Sequence, residues 1–239
     1  RKSQSKLVNA WITRNDFTAK AGQYIWLPNV NGEPSSVAIG IGDKPGLATL
    51  GLLPYRLPPD DFRLETSLSE AERYRVLLGW GMGAYRFTRY KSANRAPARL
   101  LISKTDASVL EEQSAISLCR DLVNTPANDM LPHDLENVAT NLAADFDAQI
   151  QVTTGDALLH ANLNVIHAVG RASASAPRLI DMRWGDADNP KVTLIGKGVC
   201  FDSGGLDLKT AAGMRTMKKD MGGSAHVLGL AKLIMARKL

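Results

Sequence analysis

Residues 192–205 read Val-Thr-Leu-Ile-Gly-Lys-Gly-Val-Cys-Phe-Asp-Ser-Gly-Gly, an apolar run that leads straight into ten positions of which four are glycine. Such a segment is a poor helix. It predicts a strand over 192–196 that opens into a loop whose bare backbone lets a ligand come close. Strands of this kind alternate with helices in the second half of the chain, and that order points to an α/β fold. In open α/β sheets ligands gather beyond the carboxyl ends of the strands. That rule places Lys197 and Asp202 at a binding edge, with Asp220 at the mouth of the last helix.

The rest of the chain fits this frame and divides once. Strands are expected at Leu7–Ile12, Tyr24–Pro28 and Ser36–Gly42, separated by Gly, Asn and Pro turns. A helix over 67–83 follows from the spacing of Leu68, Ala71, Tyr74, Leu77 and Leu78, with Ser67 and Glu70 at capping-box distance. The small polar run Ser92–Pro97 marks a boundary, and the strand at 99–102 fits either side of it. Beyond it the pattern alternates: helices at Ser108–Leu122 and Leu135–Asp145, strands at Gln149–Val152, Arg178–Trp184 and Val192–Gly196, and a final helix over Gly222–Arg237. The expected organisation is a small N-terminal α/β domain (1–95) and the first part of a larger α/β domain with a mixed sheet (96–239).

Composition removes several classes. With 44% apolar and 22% charged residues the 239-residue chain is a folded type rather than a disordered one. No apolar run approaches the roughly 20 residues of a membrane span, and Arg1–Ser5 is not followed by a signal-peptide core. Two distant cysteines, Cys119 and Cys200, support neither a disulfide framework nor a zinc cluster, and suit a soluble, cytoplasmic protein. The net charge of +5 permits anionic partners without requiring them. Arg86, Arg89, Lys91, Arg95 and Arg99, interleaved with Phe87 and Tyr90, give nucleic acid as the rival partner, although no DNA-binding motif accompanies them.

The glycine-rich stretch is neither a nucleotide loop nor a nucleophile elbow. Lys197 lacks the Gly-x-x-x-x-Gly-Lys-Ser/Thr spacing, and Ser203 lies in Asp-Ser-Gly rather than Gly-x-Ser-x-Gly. His133, His160 and His167 have no mutual ligand spacing, and His226 reads as a helix histidine satisfied locally.

In combination, Lys197-Gly198-x-x-Phe201-Asp202-Ser203-Gly204-Gly205-x-x-x-Lys209 and Met217-Lys218-x-Asp220-Met221-Gly222-Gly223 resemble the first half of the dinuclear-metal site of the leucyl (cytosol) aminopeptidases. Upstream, Arg120–Met130 resembles the segment that opens that family's catalytic domain, and Tyr85–Lys91 the end of its N-terminal domain. The resemblance covers 85–239 strongly and 1–84 weakly. It implies an exopeptidase that releases N-terminal amino acids, with a leucine-like preference, from peptides with a free N-terminus.

The resemblance also distributes roles. It implies two divalent ions, Mn²⁺ or Zn²⁺, that take the substrate's α-amine and polarise the scissile carbonyl. Asp202 would bridge both ions. Lys197 and Asp220 would bind one of them, Lys197 as an unprotonated amine, a state that neighbouring divalent ions favour. Lys209 would remain cationic and steady the developing oxyanion. The family's remaining donors lie in an Asn-Thr-Asp-Ala-Glu-Gly-Arg motif, expected beyond Leu239, so residues 1–239 would carry half a site. Asp207, His226 and Cys200 depart from the usual family residues, and Asp207 either faces solvent or adds charge beside the metals. A homo-hexamer without membrane contact completes the expectation, with nucleic-acid binding and a noncatalytic assembly role as the alternatives.

Overall fold

The computed structural model describes residues 6–239. They form two compact units, one up to Gln113 and the other Ser114–Leu239.

In the first unit, α1 (Lys6–Arg14) occupies the place where a strand is expected. Leu7 and Trp11, and Val8 and Ile12, are four residues apart and stack on one helical face, whose anchor is the buried Ile12. The Trp11 indole N–H donates to the Trp26 carbonyl (2.9 Å). β1 (Tyr24–Pro28) and β2 (Pro34–Ile39) form an antiparallel hairpin in which Tyr24 faces Ile39 and Trp26 faces Val37. All four pack on a core of Leu50, Leu53, Leu57, Val76, Trp80 and Ala98. α2 (Leu47–Gly51) and β3 (Asp61–Arg63) precede α3 (Glu70–Ala84). The capping box of α3 is formed by Ser69 and Glu72, two residues beyond the expected pair. Ser-x-x-Glu occurs twice in overlap, and the register that buries Val76, Leu77 and Trp80 decides between them. β4 (Arg99–Leu101) pairs in parallel with β3, the crossover being α3, which assigns this strand to the N-terminal side.

The basic stretch is largely engaged within this unit. Arg86 stacks 3.7 Å from the Tyr55 ring centroid, Arg95 donates to the carbonyls of Tyr55 and Leu57, and Arg99 pairs with Asp61 at 2.6 Å.

α4 (Ala107–Asn124) begins in the first unit and ends in the second. It stops at Thr125, whose amide and hydroxyl both donate to the Asp121 carbonyl ahead of Pro126. α5 (Pro132–Asp145) starts with proline in its first turn, and the Asp134 carboxylate accepts from the Leu131 amide. β5 (Gln149–Thr154) and β6 (Arg178–Arg183) are antiparallel, with α6 (Ala157–His160) and α7 (Asn164–Gly170) between them. α8 (Ala211–Arg215) and α9 (Gly222–Arg237) complete the unit. Its core joins Leu122, Met130, Leu135, Leu142, Cys200, Met221, Ala225 and Leu228, with Ile150, Ile180 and Met182 from the strand pair.

The molecule is therefore mixed α/β, but among the described residues the strands form three two-stranded sheets rather than one large one. Residues 192–196 make no ladder, and Val192 and Ile195 stand 82% and 90% exposed. The apolar pattern records what this segment tolerates, whereas a strand exists only against a partner edge. No described helix is long and apolar enough to cross a membrane.

Candidate metal centre

Burial anchors the loop from Gly196 to Lys209. Cys200 is 4% exposed within the core of the second unit, its Sγ donates to the Gly198 carbonyl, and burial pushes its thiol up to about 11. It is a packed, unreactive cysteine. With Cys200 turned inward, Lys197 remains exposed on the near side of the loop and Asp202 half-buried on the far side.

The chain then doubles back through glycine. Gly204 has φ +101°, and a Cβ there would lie 2.2 Å from the Asp207 carbonyl oxygen, so any other residue would break the turn. The Gly204 amide donates to Asp202 Oδ1 (2.8 Å), and the Lys209 amide donates to the Ser203 carbonyl (2.9 Å). This turn returns Lys209 to Asp202, with Nζ 2.6 Å from Oδ2 and 3.0 Å from the carbonyl oxygen. Lys209 Nζ also lies 3.7 Å from Met217 Sδ.

Asp220 comes from a 3-10 turn, Met217–Met221, whose end residues are both buried. Its Oδ1 and carbonyl oxygen accept from Lys197 Nζ at 3.1 and 3.0 Å, and Lys219 Nζ lies 3.6 Å from Oδ2. The Lys209 and Gly204 hydrogen bonds hold the Asp202 carboxyl below its ordinary range, with a further contribution from the charge of Lys197. Asp220 is likewise lowered, chiefly by the Lys197 hydrogen bond and then by the charges of Lys197, Lys219 and Lys209. Each carboxylate thus feels both lysines, and the four residues singled out in the sequence share one neighbourhood as two ion pairs, Lys197–Asp220 and Lys209–Asp202.

Two ionised carboxylates and a lysine amine make a donor set that suits a hard or borderline divalent cation. The set is short of donors on its own. Among the described residues no group of three or more His, Cys, Asp or Glu side chains could hold a metal. The other residues considered lie apart from it or bond elsewhere. His226 Nδ1 pairs with the Gly222 carbonyl of its own helix (2.6 Å), His133 with Ser175, and His167 with Asp156, while Asp207 is exposed. Lys219 stands at an unspecified position of the second motif, and Met217 opens that motif without an assigned role. Adjacency to Asp220 would have pointed to Lys219, but nothing local predicts that Met217 touches Lys209.

Comparison with known proteins covers both units. The catalytic-domain profile of the cytosol aminopeptidase family matches residues 117–239, and the N-terminal-domain profile of the M17 aminopeptidases matches 2–103. The chain is 35% identical to a probable cytosol aminopeptidase of Clostridium perfringens over 67% of its own length and 36% of that protein's. It is 30% identical to probable cytosol aminopeptidase 1 of Shewanella oneidensis over 97% of its length and 51% of the relative's. Among solved structures, the cytosol aminopeptidase from Coxiella burnetii superposes over 100% of this chain and 52% of its own, with TM-score 0.93 and 39% identity. The bottromycin maturation enzyme BotP in complex with Mn superposes over 96% of this chain and 54% of its own, with TM-score 0.79 and 29% identity. The chain thus spans about half, or less, of the length of these relatives.

Proposed function

The chain belongs to the cytosol aminopeptidase family, and from that premise we propose that it carries the first half of the active site of a dinuclear-metal aminopeptidase. The observation that supports this reading best is the convergence of Lys197, Asp202, Lys209 and Asp220 as two lysine–carboxylate pairs around one glycine-rich loop. With β4 on the N-terminal side, the N-terminal domain would extend beyond the expected boundary at 95/96 to about residue 103, and the catalytic portion would follow it to 239. Peptides with a free N-terminus are the proposed substrates, a leucine-like side chain the preferred first residue, and a cytoplasmic homo-hexamer the proposed assembly.

Lys197, Asp202 and Asp220 would hold divalent ions, Mn²⁺ or Zn²⁺, with further carboxylates from the family's Asn-Thr-Asp-Ala-Glu-Gly-Arg motif. Bound there, such ions supply Lewis-acid polarisation of the scissile carbonyl and a site for the substrate amine. The chain's own residues do the rest. Asp202 lies between Lys209 and the Gly204 amide, which orient both of its oxygens. Lys209 keeps its proton at Nζ and directs that charge to where negative charge develops on the carbonyl oxygen. The buried Met217 lies against Lys209, its Sδ 3.7 Å from Nζ.

The test is hydrolysis of matched peptides by the full-length protein. Unblocked peptides should lose their first residue when Mn²⁺ or Zn²⁺ is supplied, and chelation should stop the reaction. Equal cleavage of N-acetylated peptides would overturn the reading, because the free amine is what the site is proposed to bind.

A further inference from the structure

We infer that Gly196 and Gly223 are positioning residues, and that the backbone crossing they form sets Lys197 against Asp220; the functional meaning of this inference rests on the metal-binding reading of those two side chains. A Cβ on Gly196 would lie 2.6 Å from Ser224 Cα and 2.7 Å from both the Gly223 oxygen and the Ser224 nitrogen. In the other direction, a Cβ on Gly223 would lie 2.8 Å from the Lys197 nitrogen and 3.2 Å from its oxygen. Every one of these atoms is backbone, so no rotamer change relieves the clash. The loop before the site and the first turn of α9 thus approach too closely to admit a Cβ on either glycine without a backbone shift.

One hydrogen bond fixes this crossing. The Ser224 amide donates to the Lys197 carbonyl (2.9 Å), and the Ser224 hydroxyl donates to the Met221 carbonyl (2.7 Å), which ties the same residue to the turn that carries Asp220. Lys197 adjoins one glycine, and Asp220 lies three residues before the other. Separating the two main chains therefore separates the amine from the carboxylate. The second pair is built differently: Asp202 and Lys209 are joined within their own loop by the turn at Gly204, without the crossing.

Gly222 supplies an internal control. A Cβ there would meet only Val123 Cγ2, at 3.9 Å, an ordinary contact. Helix propensity favours alanine over glycine at both 222 and 223. Propensity alone thus predicts the same outcome for Gly222→Ala and Gly223→Ala, whereas the crossing predicts opposite ones.

The experiment compares the two variants with the wild-type full-length protein by crystallography without metal and by calorimetric Mn²⁺ titration. Gly223→Ala should carry Lys197 Nζ out of hydrogen-bond range of Asp220 while Lys209–Asp202 stays intact. Its Mn²⁺ affinity should fall by about 10–100-fold, the usual effect of disturbing the groups that orient metal ligands. Gly222→Ala should match the wild type in both measurements. An undisturbed Lys197–Asp220 contact in Gly223→Ala, or the same loss in Gly222→Ala, would overturn the inference. If Gly223→Ala does not fold, hydrogen exchange in the wild type decides instead: the Ser224 amide must be as protected as those in the middle of α9, and rapid exchange there rejects the crossing. A wild-type protein that takes up no Mn²⁺ would sink the metal reading, while the metal-free structures would still decide the positioning role.

Discussion

Two regions of the chain are rich in cations, and they use them in opposite ways. Along 86–99, Arg86 and Arg95 send guanidinium groups to main-chain carbonyls and to the Tyr55 ring, and Arg99 clamps Asp61 across the β3–β4 pair. Between 197 and 219, three lysines instead direct ammonium groups to the carboxylates of Asp202 and Asp220. The Tyr55 and Leu57 carbonyls lie half-buried with Arg95 as their donor, so those contacts belong to the framework. An ammonium on a flexible stem is a point charge that can leave a carboxylate when another cation arrives. Between Arg95 and the site lysines, the acceptor rather than the density of positive charge separates a structural clip from a proposed exchangeable site, while Arg99, exposed and paired with a carboxylate, follows the rule of the lysines.

The largest expected effect tests the exchangeable side. Asp202→Ala in the full-length protein should lose metal and activity together, because it removes the proposed bridging carboxylate. Lys209→Ala should keep near-normal metal content while kcat falls by roughly two to three orders of magnitude, with a smaller change in KM, the scale of losing one preorganised oxyanion donor. Metal stoichiometry and steady-state kinetics on both variants separate the two. A Lys209→Ala enzyme with wild-type kcat would place Lys209 among the framework cations after all.

How much of this was legible in the sequence depended on how local the cause was. α5, α9 and the β1–β2 and β5–β6 strands follow from periodicity, turn residues and caps that lie within each segment, and the expectations for them hold to within a few residues. Apolar residues dominate Leu7–Ile12 and suggest a strand, yet their four-residue spacing is helical, and contact with Trp26 fixes it so. The 192–196 segment has the composition of a buried strand, but pairing is a property of two segments and cannot be read from one. The site was legible as a motif. Its geometry was not, because the Gly196–Gly223 crossing joins residues that only the folded chain brings together.

A smaller effect tests the framework side. Arg95→Ala leaves the Tyr55 and Leu57 carbonyls without their donor, so unfolding in denaturant should show a loss of about 1–3 kcal/mol. Activity per folded molecule should not change. If the basic stretch were instead a nucleic-acid surface, the same variant would weaken duplex DNA binding and reduce its salt dependence. With three of its arginines already engaged, we expect at most weak, nonspecific binding that disappears as salt rises.

The smallest effect is that of acid on the metal-free protein, and it ranks the carboxylates by their partners. Asp106, largely buried under a two-pronged contact from Arg73 (2.8 and 2.7 Å) and bonded by Ser103, is held far below the ordinary carboxylate range. Asp202 and Asp220 are also lowered, but by lysines at the surface. In all three the folded form holds its proton less tightly than the unfolded chain, whose carboxyls titrate near about 4. The stability they contribute is therefore complete above that pH, and is lost only as pH falls through each folded value. Melting temperature should accordingly show no loss from these groups between neutrality and about pH 5, then decline. Asp106→Asn should lower it across the whole neutral range. Asp202→Ala or Asp220→Ala should leave it within the scatter of replicate melts, since exposed ion pairs contribute little to folding. A marked drop in either would mean that the site pairs, like those of the arginine clips, hold the fold together.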